Sequence, residues 1–530
     1  MKETAASRWN ILNQYRSIFL RRAIDCSKLT IPSLIPESDQ WDNAGDTEAK
    51  LPSLYQGLGA KSVNGLSAKL LLSLYPPSQP FFRLVINEGK LQNYIQQSGD
   101  AEAEVKSRMD MALSSVERSI LKKLDELQAR PALFEAIKHL IVGGNALLYV
   151  SNDGIRMYGL RSFTCRRDPE GNCVEIVLKE RVDRDFIPSS MLSERERDDD
   201  ETHVDLYTHV HISYDDDRVE WHQEFDGRQV PQTQSFSTIA QSPWICLRLL
   251  RIANEDFGRS LCEEALGDLQ SLESLSKAVV EGSLISAKAV ALVNPNGVTR
   301  ADILARAENG AVVAGNAADV EFLQVGKSQD MSVALQTMQL LERRLNFTFL
   351  NSEATTRDAE RVTAEEIRLM AEQLEAGLGG IYSILAHELQ LPLIKRVLHM
   401  MQKNGEIPPV PSEIISPQIT TGLDAIGRGN DKQRLTNFIQ TIAASIGPEQ
   451  FLTYIQPTEL IRRFAASDGI ETAGLVKDEQ QLQAEQAQQQ RLSLEQSLTE
   501  GAIRNGATSP TQQQASPAAG AGNVQPPSGI

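Results

Sequence analysis

Apolar positions recur every three or four residues along most of the chain, and this spacing predicts amphipathic helices. Near the start, Trp9, Leu12, Tyr15 and Phe19 follow the spacing and predict a helix over residues 8–25. Comparable patterns predict further helices over 59–75, over 101–129, and from Pro131 to the Gly143-Gly144 pair. A short apolar run predicts a strand over 81–86.

The pattern changes to alternation between residues 146 and 250, which predicts strands. Asn152-Asp153-Gly154 separates two such runs as a turn, and a hairpin tip is expected at residues 168–172. Further alternating runs cover DLYTHVHISY and RVEWHQEF. This part of the chain is therefore predicted to be an antiparallel β module.

Helical spacing returns after residue 258. We predict one helix over about 259–288 and another over 332–350, separated by a small mixed insert. In the insert, AVALV, AVVAG and DVEFLQV are predicted strands, and 299–308 is a short helix. A compact insert between two helices allows them to pack as an antiparallel pair.

A polar segment without periodicity, 351–361, is predicted to be a loop, and a capping box at Thr363 opens a long helix after it. The apolar stripe of that helix is interrupted by Gly377, Gly379 and Gly380, and Pro392 follows it. Glycine in a helix costs about 1 kcal/mol relative to alanine, so we expect a kink or close packing there.

The end of the chain is helical and Gln-rich over 430–500, and then carries no charge over 505–530. The last segment is expected to be disordered because it is rich in Pro and Gly. Together, the helical segments and the antiparallel module predict an α+β fold class.

Composition narrows the functional classes. The chain has 53 Lys and Arg against 70 Asp and Glu, a net charge of −17, which argues against a protein that coats nucleic acid with a basic surface. Five cysteines in 530 residues exclude a disulfide scaffold. No run reaches the roughly 18 apolar residues that a membrane span needs, and no signal peptide is expected.

The sequence offers no catalytic motif, no cofactor-binding motif and no metal-site spacing, so we expect neither catalysis nor a bound cofactor or metal. His203, His209, His211 and His222 cluster in the β module near acidic runs. A solvated acidic surface explains them best, and an enzyme with an unrecognised metal site is the alternative. The Gln-rich region leaves a helical scaffolding or adaptor protein as a further alternative.

Six basic residues lie on the two helices that flank the insert and on the loop after them: Lys277, Lys288, Arg343, Arg344, Arg357 and Arg361. As isolated side chains they are ordinary surface charges. If several copies form a ring, each residue is repeated at one level along the ring axis. The six residues would then form several circles of positive charge.

The order of these elements resembles the portal, or head-to-tail connector, proteins of tailed phages, in particular those of short-tailed phages. The resemblance covers residues 1 to about 500, and it is carried by LTIPSL at 29–34, NGLSAKL at 64–70, EDFGRS at 255–260, RVTAEEI at 361–367, LGGIY at 378–382 and ELQLPLI at 388–394.

The resemblance implies a portal fold: a wing of mixed helices with the antiparallel β module, a helical stem, a small α/β clip, a long glycine-kinked helix and a helical crown. The implied boundaries are wing 1–257, stem helix 258–292, clip 293–331, stem helix 332–350, tunnel loop 351–361, kinked helix and return to the wing 362–430, crown 431–504 and disordered tail 505–530.

The resemblance also implies a role. Twelve copies would form a ring at one capsid vertex of the virion, assembled in the host cytoplasm, around a channel for double-stranded DNA. The implied partners are other copies of the chain, DNA bound without regard to sequence, the terminase, the tail adaptor, the major capsid and scaffolding proteins, and internal core proteins. The six basic residues are then candidates for the channel wall.

Overall fold

The computed structural model describes most of the chain up to residue 419 and short pieces after it. The described residues are 3–37, 51–76, 81–86, 102–188, 191, 203–287, 291–308, 311–322, 328–351, 377–378, 380–408, 415–419, 436–442, 444–445, 457 and 460–461. The predicted Gln-rich region and the predicted disordered tail, 505–530, lie outside them. The chain divides into two compact units, Met1–Ile426 and Gly427–Ile530, and the described residues of the second unit are helical.

The described residues before the β module include four helices, as the apolar spacing predicts. They are α1 Ala5–Leu29, α2 Leu58–Leu74, α3 Glu102–Glu126 and α4 Ala129–Gly143. Thr4 caps α1, its hydroxyl accepting from the Ser7 amide, and Gly144 ends α4 with a positive φ of 74°. Helix α4 is buried along most of its length and packs against α1, α2 and α3.

The β module is antiparallel, and this prediction is confirmed. Its strands are β2 Asn145–Val150, β3 Ile155–Gly159, β4 Phe163–Arg167, β5 Cys173–Asp183, β6 His203–Ser213, β7 Arg218–Phe225, β8 Arg228–Gln229, β9 Ser235–Ser237 and β10 Trp244–Arg248. They form a three-stranded sheet, β10-β2-β3, and a larger sheet, β4-β5-β6-β7-β8, in which β9 pairs with β7. The shorter strand β1, Phe82–Ile86, pairs far along the chain with β13, Ile415–Ile419.

Helix α1 lies against the larger sheet through its N-terminal half. Trp9 and Leu12 pack on Val177 and Tyr207, and Trp9 meets the Tyr207 ring edge-on with centroids 6.3 Å apart. Arg16 is almost fully buried, and its guanidinium donates to the carbonyl oxygens of three residues, Leu160, Arg161 and Phe163. The first helix is therefore fixed to the β module by both apolar packing and hydrogen bonds.

The segment EDFGRS at 255–260 joins the β module to the helices that follow. Phe257 is buried against Phe19, and the Asn145 side chain exchanges hydrogen bonds with the backbone of Gly258 at 2.7 and 2.9 Å. A Cβ on Gly144 would come within 2.6 Å of the Gly258 carbonyl oxygen. This close approach requires glycine and fixes the exit of the chain from the module.

The helix predicted over 259–288 is divided. Ser260 caps a single turn, α5 Leu261–Glu264, and after Ala265 the chain continues as α6 Leu266–Ala287. Arg259 bridges Glu255 and Glu263 just before this turn, with ion-pair distances of 2.5 and 2.7 Å. The break separates a short turn that packs against α4 and α1 from the longer helix α6.

The insert contains β11 Ala291–Val293, α7 Ala301–Ala305 and β12 Val320–Phe322, and the two strands pair with each other. The prediction of a strand at AVVAG is wrong, because residues 311–315 have no strand partner among the described residues, and Val312 is fully exposed. Asp319 organises the turn instead, since its carboxylate accepts from the amides of Val298 and Thr299 at 2.8 and 3.1 Å.

The chain returns to the core after helix α8, Ser328–Thr348. Residues 380–385 are α-helical, Ala386–Gln390 form a π-turn, and α9 Leu391–Lys403 follows without interruption. Among the described helices, none combines the length and the hydropathy needed to span a membrane.

Candidate functional site: the paired helices and their basic side chains

Helices α6 and α8 pack side by side in opposite directions. Asp268 in the first turn of α6 accepts a 2.8 Å hydrogen bond from Arg344 near the end of α8. Further along, a Cβ on Gly282 would lie 2.8 Å from the Cε of Met331, near the start of α8. The small residue at 282 therefore lets the two helices approach closely at the end that carries the insert.

The two helices bury leucines along their common face. Leu269 and Leu272 of α6 and Leu341 and Leu345 of α8 are buried, and Phe349 extends the packing just after α8 ends. Burying one such side chain stabilises the fold by about 1.5–3 kcal/mol. These buried side chains join the pair to the main hydrophobic core of the chain.

The opposite side of α8 is apolar as well, although it faces solvent in the single chain. Val333, Leu340 and Phe347 stand seven residues apart, which places them on one side of the helix, and they are 62, 59 and 83% exposed. We call these three residues the outer stripe. A helix face in permanent contact with water is normally polar, so the outer stripe has the composition of a contact surface.

Three of the six predicted basic residues lie on the described parts of this pair, and the structure does not bring them into one cluster. Lys277 is exposed, 4.0 Å from Glu281 and 6.0 Å from the centre of the Tyr55 ring. Arg344 is bound to Asp268, and Arg343 is exposed on the other side of α8. Arg343 lies opposite residues near the start of α6, so it is about 12 Å from Lys277 along the helix axis.

The other three basic residues, Lys288, Arg357 and Arg361, lie outside the described residues. The same holds for all of the predicted loop after Asn351 and for Gly379. The function predicted for these residues therefore stays a prediction. Of the two described glycines, Gly377 packs against Leu350, whose side chain would come 3.0 Å from a Cβ there, and Gly380 faces open space.

A π-turn follows the glycines and changes the expectation for Pro392. The proline lies in the first turn of α9, and the chain stays helical through it. Proline lacks a backbone N–H, but at this position the π-turn has already interrupted the regular α-helical hydrogen bonds. Two side chains of the π-turn anchor it. Glu388 pairs with the buried Arg248 at 2.9 Å, and Gln390 donates to the Leu74 carbonyl at 2.7 Å.

The histidine cluster does not form a metal site in the described part of the chain. His209 and His222 stand opposite each other on β6 and β7, and each binds its own carboxylate, Glu175 at 2.9 Å and Glu224 at 2.7 Å. Among the described residues, no group of His, Cys, Asp and Glu side chains has the arrangement that a metal ion needs.

Sequence reasoning missed one cluster of reactive groups. Cys246 lies in an apolar strand pattern, which does not indicate a charged neighbour, but its sulfur lies 3.5 Å from the Arg167 guanidinium. Cys165 and Cys173 flank the hairpin beside it. The only sequence signal was the seven-residue spacing between those two cysteines, which does not indicate a third partner.

Comparison with known proteins defines the class to which this arrangement belongs. A family model described as "Bacteriophage head to tail connecting protein" matches residues 2–476, so the chain belongs to that family. The helix pair with its insert, the β module and the π-turn are thus elements of a phage head-to-tail connector, a structural component of the virion.

Within the family, the similar proteins are portal proteins of short-tailed phages. The portal protein of Escherichia phage T7 is 36% identical over 529 residues, 98% of this chain and 96% of that protein. The portal protein of Enterobacteria phage T3 is 38% identical over 492 residues, 91% of this chain and 90% of that protein. A chain from the neck of an empty gene transfer agent particle shares 13% identity, covers 78% of this chain and 90% of its own length, and superimposes with a TM-score of 0.38. The chain is therefore of the portal type found in short-tailed phages.

Proposed function

We propose that twelve copies of this chain form a ring at one vertex of the capsid, and that the ring is the channel through which double-stranded DNA enters and leaves. The observation that supports the proposal is the antiparallel pair α6–α8. Helix α8 buries one face within its own chain, and its other face is apolar and exposed, as expected of a surface that contacts a neighbouring copy. A ring in which neighbouring pairs stand side by side would cover the outer stripe, defined by Val333, Leu340 and Phe347.

Charge supports passage of DNA rather than tight binding. Each chain carries −17, so twelve chains carry a formal charge of −204. An acidic wall repels phosphates, and DNA slides without a fixed contact. Lys277 and Arg343, which are exposed, would interrupt this wall as two levels of positive charge if they face the lumen, and contacts through phosphate are independent of base sequence.

The remaining divisions follow the family pattern. In this proposal residues 1–257 are the wing, 258–292 and 332–350 the stem, 293–331 the clip, 351–361 a loop that meets DNA, 362–430 the kinked helix returning to the wing, and 431–504 a crown. The clip would bind the terminase during packaging and the tail adaptor afterwards. The ring would also start head assembly with the major capsid and scaffolding proteins, and internal core proteins would bind on the capsid side.

The ring is tested by native mass spectrometry of the purified chain. Twelve chains of 58.5 kDa give a species of about 702 kDa. Phe347→Asp places a charge in the outer stripe and is expected to shift the population to monomers and small oligomers. Phe186→Asp is the matched control, because Phe186 is equally exposed, at 80%, but lies in the β module. A ring that survives Phe347→Asp would contradict the assigned contact face, and a monomer under all conditions would contradict the ring.

DNA handling is tested at the predicted loop. Arg357→Ala combined with Arg361→Ala is expected to lower the amount of DNA packaged or retained and to leave the 702 kDa species intact, since twelve copies of two charges are removed from one level. Packaging is measured as nuclease-protected DNA per particle. The same double substitution to Lys, which keeps the charge, is the control. Normal packaging by the Ala variant would remove the DNA role from these residues.

A further inference from the structure

Three of the five cysteines meet where the hairpin β4–β5 faces strand β10. Cys165 lies on β4, Cys173 begins β5 and Cys246 is in the middle of β10. All three lie around Arg167, whose guanidinium reaches the Cys246 sulfur and which pairs with Cys173 across the hairpin. The Cys165 thiol and Arg167 both donate to the Asp256 carbonyl, and the Cys173 thiol donates to the Glu175 carbonyl, with both sulfur–oxygen distances at 3.7 Å. The hairpin and the strand belong to different sheets, so this thiol cluster lies at the junction between the sheets.

Cys246 is the member of the cluster whose sulfur lies beside a cation. One guanidinium nitrogen of Arg167 lies 3.5 Å from its sulfur and 3.2 Å from its carbonyl oxygen. Arg167 cannot turn away easily, because its Nε donates to the Asp256 carbonyl and its other terminal nitrogen to the Gly171 carbonyl. A fixed cation beside a sulfur atom stabilises the thiolate, which is the reactive form of cysteine.

The three thiols differ in pKa as this geometry requires. Hydrogen bonds from Cys165 and Cys173, together with the positive charges of Arg167 and Arg248, lower the pKa of Cys246 well below its ordinary value despite burial. The pKa values of Cys165 and Cys173 are raised. The surroundings therefore favour the thiolate at Cys246 and the protonated thiol at Cys165 and Cys173.

The other two cysteines provide an internal comparison. Cys26 and Cys262 are fully buried, with exposures of 0%. Burial raises the pKa of Cys26 to about 12 and that of Cys262 well above its ordinary value. Cys246 is half-buried, whereas these two are buried, so we expect reagents in solution to react with Cys246 first.

We propose that Cys246 is a site of oxidative modification, and that a peroxide converts it and one of the two facing thiols, Cys165 or Cys173, into a disulfide that ties strand β10 to the hairpin β4–β5. A bound metal is not the better explanation, because the described residues offer no group of ligands arranged for one. The proposal concerns the single chain and does not depend on the ring.

The reaction balances with hydrogen peroxide as the oxidant. The Cys246 thiolate attacks one peroxide oxygen, the O–O bond breaks, and sulfenic acid and hydroxide form. The neighbouring thiol then attacks the Cys246 sulfur and expels the hydroxyl group, which leaves as water with the proton of that thiol. The hydroxide from the first step takes up the proton that Cys246 lost on ionising. Two thiols are oxidised, and one peroxide is reduced to two waters.

A virion component meets oxidants only after the particle leaves the cell. Thiols stay reduced in a bacterial cytosol, whereas a released particle is exposed to oxygen and peroxides. A disulfide formed after release would cross-link two sheets in a subunit that has already folded. It would therefore add resistance to unfolding in the free particle without interfering with folding.

The experiment uses the full chain, folded and reduced, at pH 7. Iodoacetamide is expected to alkylate Cys246 at least about tenfold faster than Cys26 and Cys262, and peptide mapping by mass spectrometry reads all five sites at once. Treatment with hydrogen peroxide is then expected to give a Cys246 peptide joined to the Cys165 or the Cys173 peptide. Cys165→Ser and Cys173→Ser each keep the thiolate and together identify the partner.

Two results would overturn the proposal. One is equal and slow alkylation of all five thiols until denaturant is added. The other is peroxide treatment that leaves no cross-linked peptide in the unsubstituted chain. Cys246→Ser must abolish the cross-link while Cys262→Ser preserves it, and circular dichroism confirms that both variants are folded. Persistence of a Cys165–Cys173 cross-link in Cys246→Ser would show that Cys246 is not the attacking thiol and would count against the proposal.

Discussion

Glu175 holds helix α1 to the larger sheet, and its replacement gives the sharpest test of how α1 is attached. Its carboxylate is bound by Arg8 at 2.6 and 2.9 Å, by His209 at 2.9 Å and by Arg166 at 3.3 Å, and the side chain is only 5% exposed. Burial opposes its ionisation, but hydrogen bonds from His209 and Arg8 lower the pKa of Glu175 to about 2.

The pKa gives the size and the pH range of this contribution. The ordinary pKa of the group is 4.5 and folding lowers it to about 2, so the folded state favours the carboxylate by up to about 3 kcal/mol. Because the folded pKa is depressed, the stabilisation is complete above pH 4.5 and is lost as the pH falls towards 2. We expect Glu175→Gln to destabilise the attachment of α1 at pH 7 and to have little effect near pH 2.

Hydrogen exchange measures the attachment locally, which avoids treating a chain of 530 residues as a two-state unit. Glu175→Gln is expected to speed amide exchange in the first turns of α1 by about 10- to 100-fold at pH 7, since Gln keeps the shape of the group and loses its charge. Exchange in α4, which Glu175 does not contact, should stay unchanged.

Glu180 on the same strand is the matched control with the opposite sign. Burial raises the pKa of Glu180, so its charge costs stability above pH 4.5 and that cost is relieved as the pH falls. Glu180→Gln should therefore leave exchange in α1 unchanged or slower. Equal acceleration by both substitutions would refute the reasoning, because it would mean that packing and not charge determines the effect.

Two further predictions concern the junction between the sheets and the later helices. Gly144→Ala should lower the melting temperature far more than Gly405→Ala. Both residues have a φ of 74°, but of the two only Gly144 lies against the Gly258 backbone. Equal shifts in melting temperature would contradict that contact. Arg248→Met should speed amide exchange in the π-turn by leaving Glu388 unpaired, at a local cost of about 3–5 kcal/mol, and adding Glu388→Gln should recover part of the loss. No recovery would show that the ion pair itself is not what matters.

The elements that sequence periodicity predicts well are those with one clear buried face. Trp9 and Leu12 mark α1 because the helix lies on a sheet, and the alternation in DLYTHVHISY marks β6 because one face of the sheet is buried. The resemblance to a portal family was also accessible, because it depends on the order of elements and on short stretches such as EDFGRS. There the structure adds the reason for those residues: Asn145 binds the Gly258 backbone.

The features that sequence reasoning missed depend on distant partners. The apolar run at 311–315 was predicted to be a strand, but a strand needs an edge to pair with, and the described residues offer none there. The environment of Cys246 depends on Arg167, which is 79 residues away along the chain. The exposure of the outer stripe was equally hidden, because apolar spacing cannot distinguish a face covered by the same chain from one that another copy would cover.

The π-turn has a consequence for how the length of this segment can vary. Buried residues recur at intervals of four from the helical residues 380–385 to the end of α9: Ile381, Leu385, Leu389, Leu393, Val397 and Met401. In a straight α-helix each such step drifts by about 40°, so the last of them would have rotated by about 200°. One extra residue in the π-turn reverses about 100° of that rotation.

Deleting a single residue from 386–390 would turn every later side chain of α9 by that angle and present Leu393 and Val397 to water. Most substitutions there would leave the direction of the later side chains unchanged. The π-turn thus sets the rotation of α9 about its own axis. The number of residues in the π-turn is therefore under stronger physical constraint than their identity.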